Sequence, residues 1–135
     1  MRVLVTENLR IDLDFEMWEC RHCDVALISA RENYKRGLLV YDRDPQEIHR
    51  PLLNPALYKQ TYSPDPNWCR LLEYYCPNCG TMMETEYLPP HHPPVRDIEF
   101  DIDAMKAQWA DREELTKPAL SPGGVALRGT HGHSH

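Results

Sequence analysis

The sequence predicts a mainly β fold with a small α content, and three observations indicate it. Twelve prolines in 135 residues favour loops and short strands over a helical bundle. Residues 9–18, LRIDLDFEMW, alternate apolar and charged side chains with period two, as a half-buried strand does. The hydrophobic and charged fractions, 41% and 27%, are those of one soluble globular domain with a modest core.

The first predicted unit is strand–turn–strand. The alternating strand at 9–18 runs into CRHC at 20–23, and VALIS at 25–29 can return beside it. The first cysteine pair is therefore expected at the tip of this unit.

The second unit has the same shape. LLEYY at 71–75 leads into CPNC at 76–79, Gly80 turns the chain, and TMMETEY at 81–87 leads away. No repeat other than this doubled cysteine turn is present in the sequence.

A long insertion at residues 24–75 separates the two turns. GLLVYD at 37–42 is predicted to form a strand. The five prolines of residues 42–67 predict a wrapping loop with at most one short helix, near residues 55–59.

The C-terminal part begins with PPHHPP at 89–94, which is predicted to be an extended linker. DIDAMKAQWADREEL predicts a helix capped by Asp101 or Asp103, with one apolar stripe that includes Trp109. The predicted organisation is a zinc-ribbon-like β domain at 1–100, a C-terminal helix at 101–118 and a disordered tail at 119–135.

The two C-x-x-C turns carry the strongest chemical signal. Each turn places two thiols on one side of a tight loop, and two turns that meet supply four soft ligands in a tetrahedron. The residue after the second ligand often needs a positive φ, which Gly80 and, less readily, Asp24 can adopt. A dithiol redox pair and buried structural cysteines are the alternatives. The predicted metal ligands are Cys20, Cys23, Cys76 and Cys79.

Zinc (Zn²⁺) is the expected metal, and iron in a rubredoxin-like site uses the same ligands. Four protein ligands leave no open position, so the metal is expected to be structural. His22 is expected to face solvent, with replacement of one cysteine ligand as the alternative, and Cys69 is expected to be a small buried hydrophobe. His91 and His92 are expected to be exposed. The histidines of the C-terminal tail, His131, His133 and His135, receive no functional role.

Charge and missing motifs restrict the function. The net charge of −6 and the lack of a basic stripe argue against nucleic-acid binding. Neither a membrane span nor a signal peptide is recognisable, so a cytoplasmic location is expected. The sequence contains no G-x-S-x-G, no H-E-x-x-H and no Gly-rich phosphate loop, and no catalytic residue is predicted.

The motif arrangement resembles the small zinc-containing (gamma-type) subunit of ATP-dependent ketone carboxylases, the acetone carboxylase and acetophenone carboxylase family. The resemblance spans residues 1–118. It rests on WECRHCD, the Pro-rich middle, YYCPNCGTMMETEY and the acidic segment that contains PPV and DIEFDIDA.

This resemblance implies a noncatalytic subunit that stabilises or bridges large hydantoinase-like catalytic subunits in a hetero-oligomer. Trp109 on the helix and the 42–67 loop are then the expected docking surfaces. The alternatives are a free-standing zinc-ribbon module that binds nucleic acid or protein, and a rubredoxin-like electron carrier.

Overall fold

Two antiparallel sheets contain the strands of the computed structural model, which describes residues 1–51, 56–57 and 63–114. The first sheet has the order β1-β2-β3-β4, formed by Arg2–Leu4, Leu9–Asp12, Met17–Cys20 and Ala26–Ser29. The second has the order β5-β6-β7, formed by Leu39–Arg43, Arg70–Tyr75 and Met82–Leu88. The helices are a 3₁₀ turn at Tyr34–Gly37, α1 at Pro45–Ile48 and α2 at Ile102–Trp109. The predicted mainly β fold class is confirmed.

The alternating segment 9–18 is a hairpin, and the prediction of a single strand was wrong. The Asp12 carboxylate accepts hydrogen bonds from the backbone N–H groups of Asp14 (2.9 Å) and Phe15 (3.4 Å). Such a bond holds the backbone in a turn. Glu16 completes the reversal with φ 53°. Phe15, one of the apolar residues of the alternating pattern, is therefore 80% exposed at the tip.

The other predicted strands next to the cysteines are confirmed. Cys20 ends β3 and Cys23 lies between β3 and β4, and the second cysteine pair lies between β6 and β7. The strand predicted at 37–42 is β5. The segment at 89–94 begins with a turn rather than an extended linker, because the His92 N–H donates to the Pro89 carbonyl oxygen at 3.2 Å and His91 has φ 65°.

Helix α2 begins where the sequence predicts but ends at Trp109, so the prediction of a helix that continues to 118 is wrong for residues 110–114. The Asp101 side chain accepts a hydrogen bond from the Ala104 N–H at 3.0 Å and so caps the helix. Ile102 and Met105 are buried, and Trp109 packs against the same core. The apolar stripe of α2 is thus largely occupied inside the chain.

Some predictions remain untested. The short helix near 55–59 lies mostly outside the described residues, as do the residues of the predicted C-terminal helix beyond 114 and the whole tail at 119–135. The boundary at residue 100 stays a prediction. Among the described helices, none has the length and hydropathy that a bilayer span requires.

One hydrophobic core joins both sheets, the 3₁₀ turn and α2. Its largest fully buried side chains are Trp18, Tyr34 and Tyr74, one each from β3, the 3₁₀ turn and β6. Cys20 and Cys76 belong to the same core. Burial of these side chains therefore holds the tips of the two cysteine hairpins next to each other.

Candidate metal centre

The first cysteine turn is closed by two backbone hydrogen bonds. The Asp24 N–H donates to the Cys20 carbonyl oxygen, and the Cys20 N–H donates to the Val25 carbonyl oxygen, both at 2.9 Å. Asp24 has φ 68°, and its carboxylate pairs with Arg10 at 2.8 Å. The left-handed residue lets the chain reverse directly after the second thiol.

The second turn repeats this pattern. The Gly80 N–H donates to the Cys76 carbonyl oxygen at 3.0 Å, and the Cys76 N–H donates to the Thr81 carbonyl oxygen at 2.9 Å. Gly80 has φ 75° and corresponds to Asp24 of the first turn. The positive φ predicted at both positions is confirmed.

The structure brings the four predicted sulfurs together. All four lie within 4.8 Å of one another. Cys20 Sγ lies 3.8 Å from Cys79 Sγ, and Cys23 Sγ lies 3.7 Å from Cys76 Sγ, so each of these contacts joins the two turns. A regular tetrahedron with Zn–S bonds of about 2.3 Å has S···S edges of about 3.8 Å. The sulfur arrangement thus fits one tetrahedrally coordinated ion, and the four cysteines form a possible metal site.

The surroundings act on the thiols in opposite directions. Burial raises the pKa of Cys20 to about 12. A hydrogen bond with the Thr81 hydroxyl lowers the pKa of Cys79 to about 6, and the backbone N–H of Thr81 acts in the same direction. The Asn78 side chain lowers the pKa of Cys23. The sequence analysis assigned no role to Thr81 or Asn78. The signal that could have identified them is their position in CPNCGT, where Asn78 lies between the two cysteines and Thr81 follows two residues after the second.

The chemistry of this donor set is that of a closed site. Four thiolates close together repel one another, and a bound divalent cation offsets that repulsion while it displaces the thiol protons. Four protein ligands complete a tetrahedron and leave no position for substrate or water. Zinc and iron both fit such a set.

The other predicted candidates lie apart from the sulfur cluster. The exposed ring of His22 is bonded through Nε2 to Asn8 Oδ1 at 2.7 Å. Cys69 is half-buried, and its sulfur lies 3.9 Å from the Arg70 carbonyl oxygen. His91 and His92 are exposed in the turn after β7. Within the described part of the chain, no second group of three or more possible ligands occurs. The tail histidines lie outside that part.

Comparison with known proteins gives the same family as the motif arrangement. Residues 3–110 match the family model of the acetone carboxylase gamma subunit. The acetophenone carboxylase beta subunit of Aromatoleum aromaticum is 51% identical over 107 residues, which cover 79% of this chain and 81% of that protein. The acetone carboxylase gamma subunit of Xanthobacter autotrophicus is 32% identical over 94 residues, which cover 67% of this chain and 49% of that protein.

The family match spans both cysteine turns, both sheets and α2, so it includes every part of the candidate site. The match to the acetone carboxylase relative spans about half of that protein's length. The chain belongs to the acetone carboxylase gamma subunit family.

Proposed function

We propose that this chain is a noncatalytic, zinc-binding small subunit of a cytoplasmic ATP-dependent ketone carboxylase of the acetophenone or acetone type. In this role it stabilises or bridges large hydantoinase-like catalytic subunits and does not bind nucleic acid. The observation that carries the proposal is the closed four-sulfur cluster in a chain of this family.

The structural role of the metal follows from what it connects. Two of the sulfurs extend from the first sheet and two from the second. Cys20, Cys23, Cys76 and Cys79, as the ligands, would therefore join the two sheets through one ion. The binding free energy of such an ion contributes directly to folding.

A noncatalytic role is supported by the chemistry of the cluster. A metal with four cysteine ligands has no open position to polarise a ketone or bicarbonate oxygen. Its ligands act by holding the hairpins in place, and the thiolates are occupied by the metal.

Metal replacement tests the noncatalytic role. The native complex is purified, its metal is measured by elemental analysis, and zinc is exchanged for cobalt(II) or cadmium. A structural ion predicts carboxylase activity within about a factor of two of the zinc form, since these ions accept the same tetrahedral thiolate set. A large change in turnover with the identity of the metal would contradict the noncatalytic assignment. A red native protein that contains iron would contradict the assignment of zinc as the native metal.

Ligand substitution tests the four residues. Cys23→Ser and Cys79→Ser are each expected to lose the metal and to reduce recovery of the assembled complex. Cys69→Ser is the matched control and is expected to keep both. Equal metal content in all three variants would show that Cys23 and Cys79 are not metal ligands.

Isolation from the native host tests the subunit assignment. The tagged chain is expected to co-purify with two much larger chains that carboxylate a ketone with ATP. Recovery of the chain alone, with metal bound, would contradict it.

A further inference from the structure

The outer face of the second sheet exposes apolar side chains on β5 and β7, whereas Leu71 and Glu73 of β6 on the same face are buried. Opposite residues of antiparallel strands share a face, so Leu39, Tyr75 and Met82 lie side by side across β5, β6 and β7. Tyr41 lies on the same face by alternation along β5, and Tyr87 does so because it is opposite Leu71, which alternates with Tyr75 along β6. The side chains between 44% and 58% exposed on this face are Leu39, Tyr41, Met82 and Tyr87. The opposite face of β6 presents Leu72 and Tyr74 to the core.

β5 is an edge strand with apolar side chains exposed on both faces. It pairs with β6 on one side, and within the described residues no strand pairs with its other side. Val40, which lies on the opposite face from Leu39 and Tyr41, is also 50% exposed. Proteins usually protect such an edge with charge, proline or a cover, because it can pair with another extended chain. The charged residues of β5, Asp42 and Arg43, lie at its end.

An open pocket of about 510 Å³ extends from this edge to the second cysteine turn, where Cys76 and Gly80 line it. Among the described residues that line it, the charged one is Arg43, whose Nε donates to Glu73 Oε1 at 2.8 Å. The Tyr75 hydroxyl donates to the same oxygen at 3.0 Å. The charges of the face are therefore paired within it. An apolar patch with Tyr, Met and a paired Arg has the composition of an interface core.

Net charge argues against a second copy as the occupant. The chain has 21 acidic and 15 basic residues, so two copies repel each other. The family relatives are named as beta and gamma subunits of carboxylases, which are proteins that assemble with other kinds of chain. The expected occupant is thus a different chain with an apolar contact segment in basic surroundings.

We propose that an extended segment of a large carboxylase subunit pairs with the open edge of β5 and inserts an apolar side chain into the pocket beside the second cysteine turn. This inference rests on the proposed function. It replaces Trp109 as the expected contact, because α2 uses its apolar stripe within the chain. It also places the partner against the turn that carries Cys76 and Cys79, so metal loss would disturb the docking surface.

Site-specific photocrosslinking in the native host tests the contact. The tagged chain carries p-benzoylphenylalanine in place of Tyr41, or in place of Phe15 as the control. Phe15 is 80% exposed on the first sheet's hairpin. A crosslink from position 41 to a large carboxylase chain, identified by peptide mass spectrometry, with none from position 15, is the expected result. A crosslink from position 41 to a second copy of this chain would overturn the proposed occupant.

Substitution gives an independent measure. Tyr41→Glu is expected to lower recovery of the large chains at least about tenfold, as removal of a central interface tyrosine does. Phe15→Glu is expected to leave recovery unchanged. Metal content and thermal midpoint, measured on both variants, report whether they fold. If position 41 gives no crosslink to a large carboxylase chain, and folded Tyr41→Glu still recovers the large chains fully, this inference fails while the proposed function stands. If the unaltered chain recovers no carboxylase chains, the proposed function fails too.

Discussion

Asp24 and Gly80 are the residues that let each cysteine turn reverse. Both have a left-handed backbone, with φ 68° and 75°, directly after the second cysteine of their turn. An added Cβ at Gly80 meets no atom within 4 Å, so substitution there tests the backbone conformation without a steric clash. Asp24 shows that an Asx side chain is accepted at the equivalent position.

Gly80→Ala is expected to destabilise the metal-loaded protein by about 1–2 kcal/mol, because alanine disfavours the left-handed region. Gly80→Asn is expected to cost less, since asparagine tolerates that region. Thermal unfolding of the two variants with the metal bound, beside the unaltered protein, measures the difference. Equal losses for both would mean that φ at this position does not limit the turn.

At the scale of elements, ion pairs attach α2 to the hairpin between β2 and β3. Lys106 Nζ lies 2.9 Å from Glu16 Oε2, and Arg31 bonds both Glu16 and Asp103 at 2.7–2.8 Å. Hydrogen bonds from Lys106 and then Arg31 lower the pKa of Glu16, and the hydrogen bond from Arg31 lowers the pKa of Asp103.

Because the pKa values of these carboxyls are lowered in the folded chain, the stabilisation of α2 docking by its ion pairs decreases as the pH falls. The contribution to helix docking is complete above the ordinary pKa values, 4.5 for Glu16 and 3.8 for Asp103. It is lost as the pH falls through the lowered values in the folded chain, where the carboxyls become protonated. The rate of amide hydrogen exchange in α2, after correction for the intrinsic exchange rate, is therefore expected to rise as the pH falls below the ordinary pKa values. Glu16→Gln should weaken this acid response. The absorption of the cobalt-substituted protein shows over what pH range the metal stays bound. Identical pH profiles of α2 amide exchange for Glu16→Gln and the unaltered protein within that range would contradict the assignment.

Gly37 permits a close approach between the end of the 3₁₀ turn and β4. A Cβ at this position would lie 2.9 Å from the carbonyl carbon and oxygen of Leu27, which is too close for either backbone to stay in place. Gly37→Ala is expected to cost about 1–3 kcal/mol through the forced shift. Arg36→Ala, at an exposed neighbour, should stay within about 0.5 kcal/mol. Urea unfolding of the metal-loaded variants measures both, and equal stability would contradict the close approach.

At the scale of the whole molecule, a buried ionic network joins the 3₁₀ turn after the first sheet to the second sheet. The Lys35 side chain is 2% exposed, and its Nζ lies 2.9 Å from both Glu86 Oε2 on β7 and the Val95 carbonyl oxygen. Asp97 lies 3.6 Å away, and the Tyr74 hydroxyl donates to Glu86. The two sheets thus have a connection that is independent of the sulfur cluster.

Lys35→Met is expected to destabilise the protein by about 3–5 kcal/mol, because it leaves the Glu86 carboxylate nearly buried without its cation. Lys35→Met combined with Glu86→Gln should recover part of that loss, since the unpaired charge is removed. Urea unfolding with the metal bound measures both variants. A double variant less stable than Lys35→Met would contradict this account of the network.

Local chemistry explains why much of the fold and the cysteine turns could be predicted from the sequence. A C-x-x-C turn, the left-handed residue after it and the flanking strands depend on neighbours within a few residues. The Asp12 turn is just as local, yet the continuing period-two pattern concealed it. The 52 residues between the cysteine pairs gave no sign of which sheet would carry each pair.

The sequence by itself determined the two cysteine turns, most strands, a helix start at Asp101 or Asp103 and the family, because each depends on residue order over short distances. Only the tertiary structure decided that the four sulfurs lie within 4.8 Å of one another, that Lys35 is buried beside Glu86, and that β5 is an edge strand among the strands of the described residues. The physical reason is that burial depends on which distant segments pack together. The apolar run Leu39–Tyr41 is typical of a core strand in sequence, and its position at the edge of a sheet makes it available to another chain.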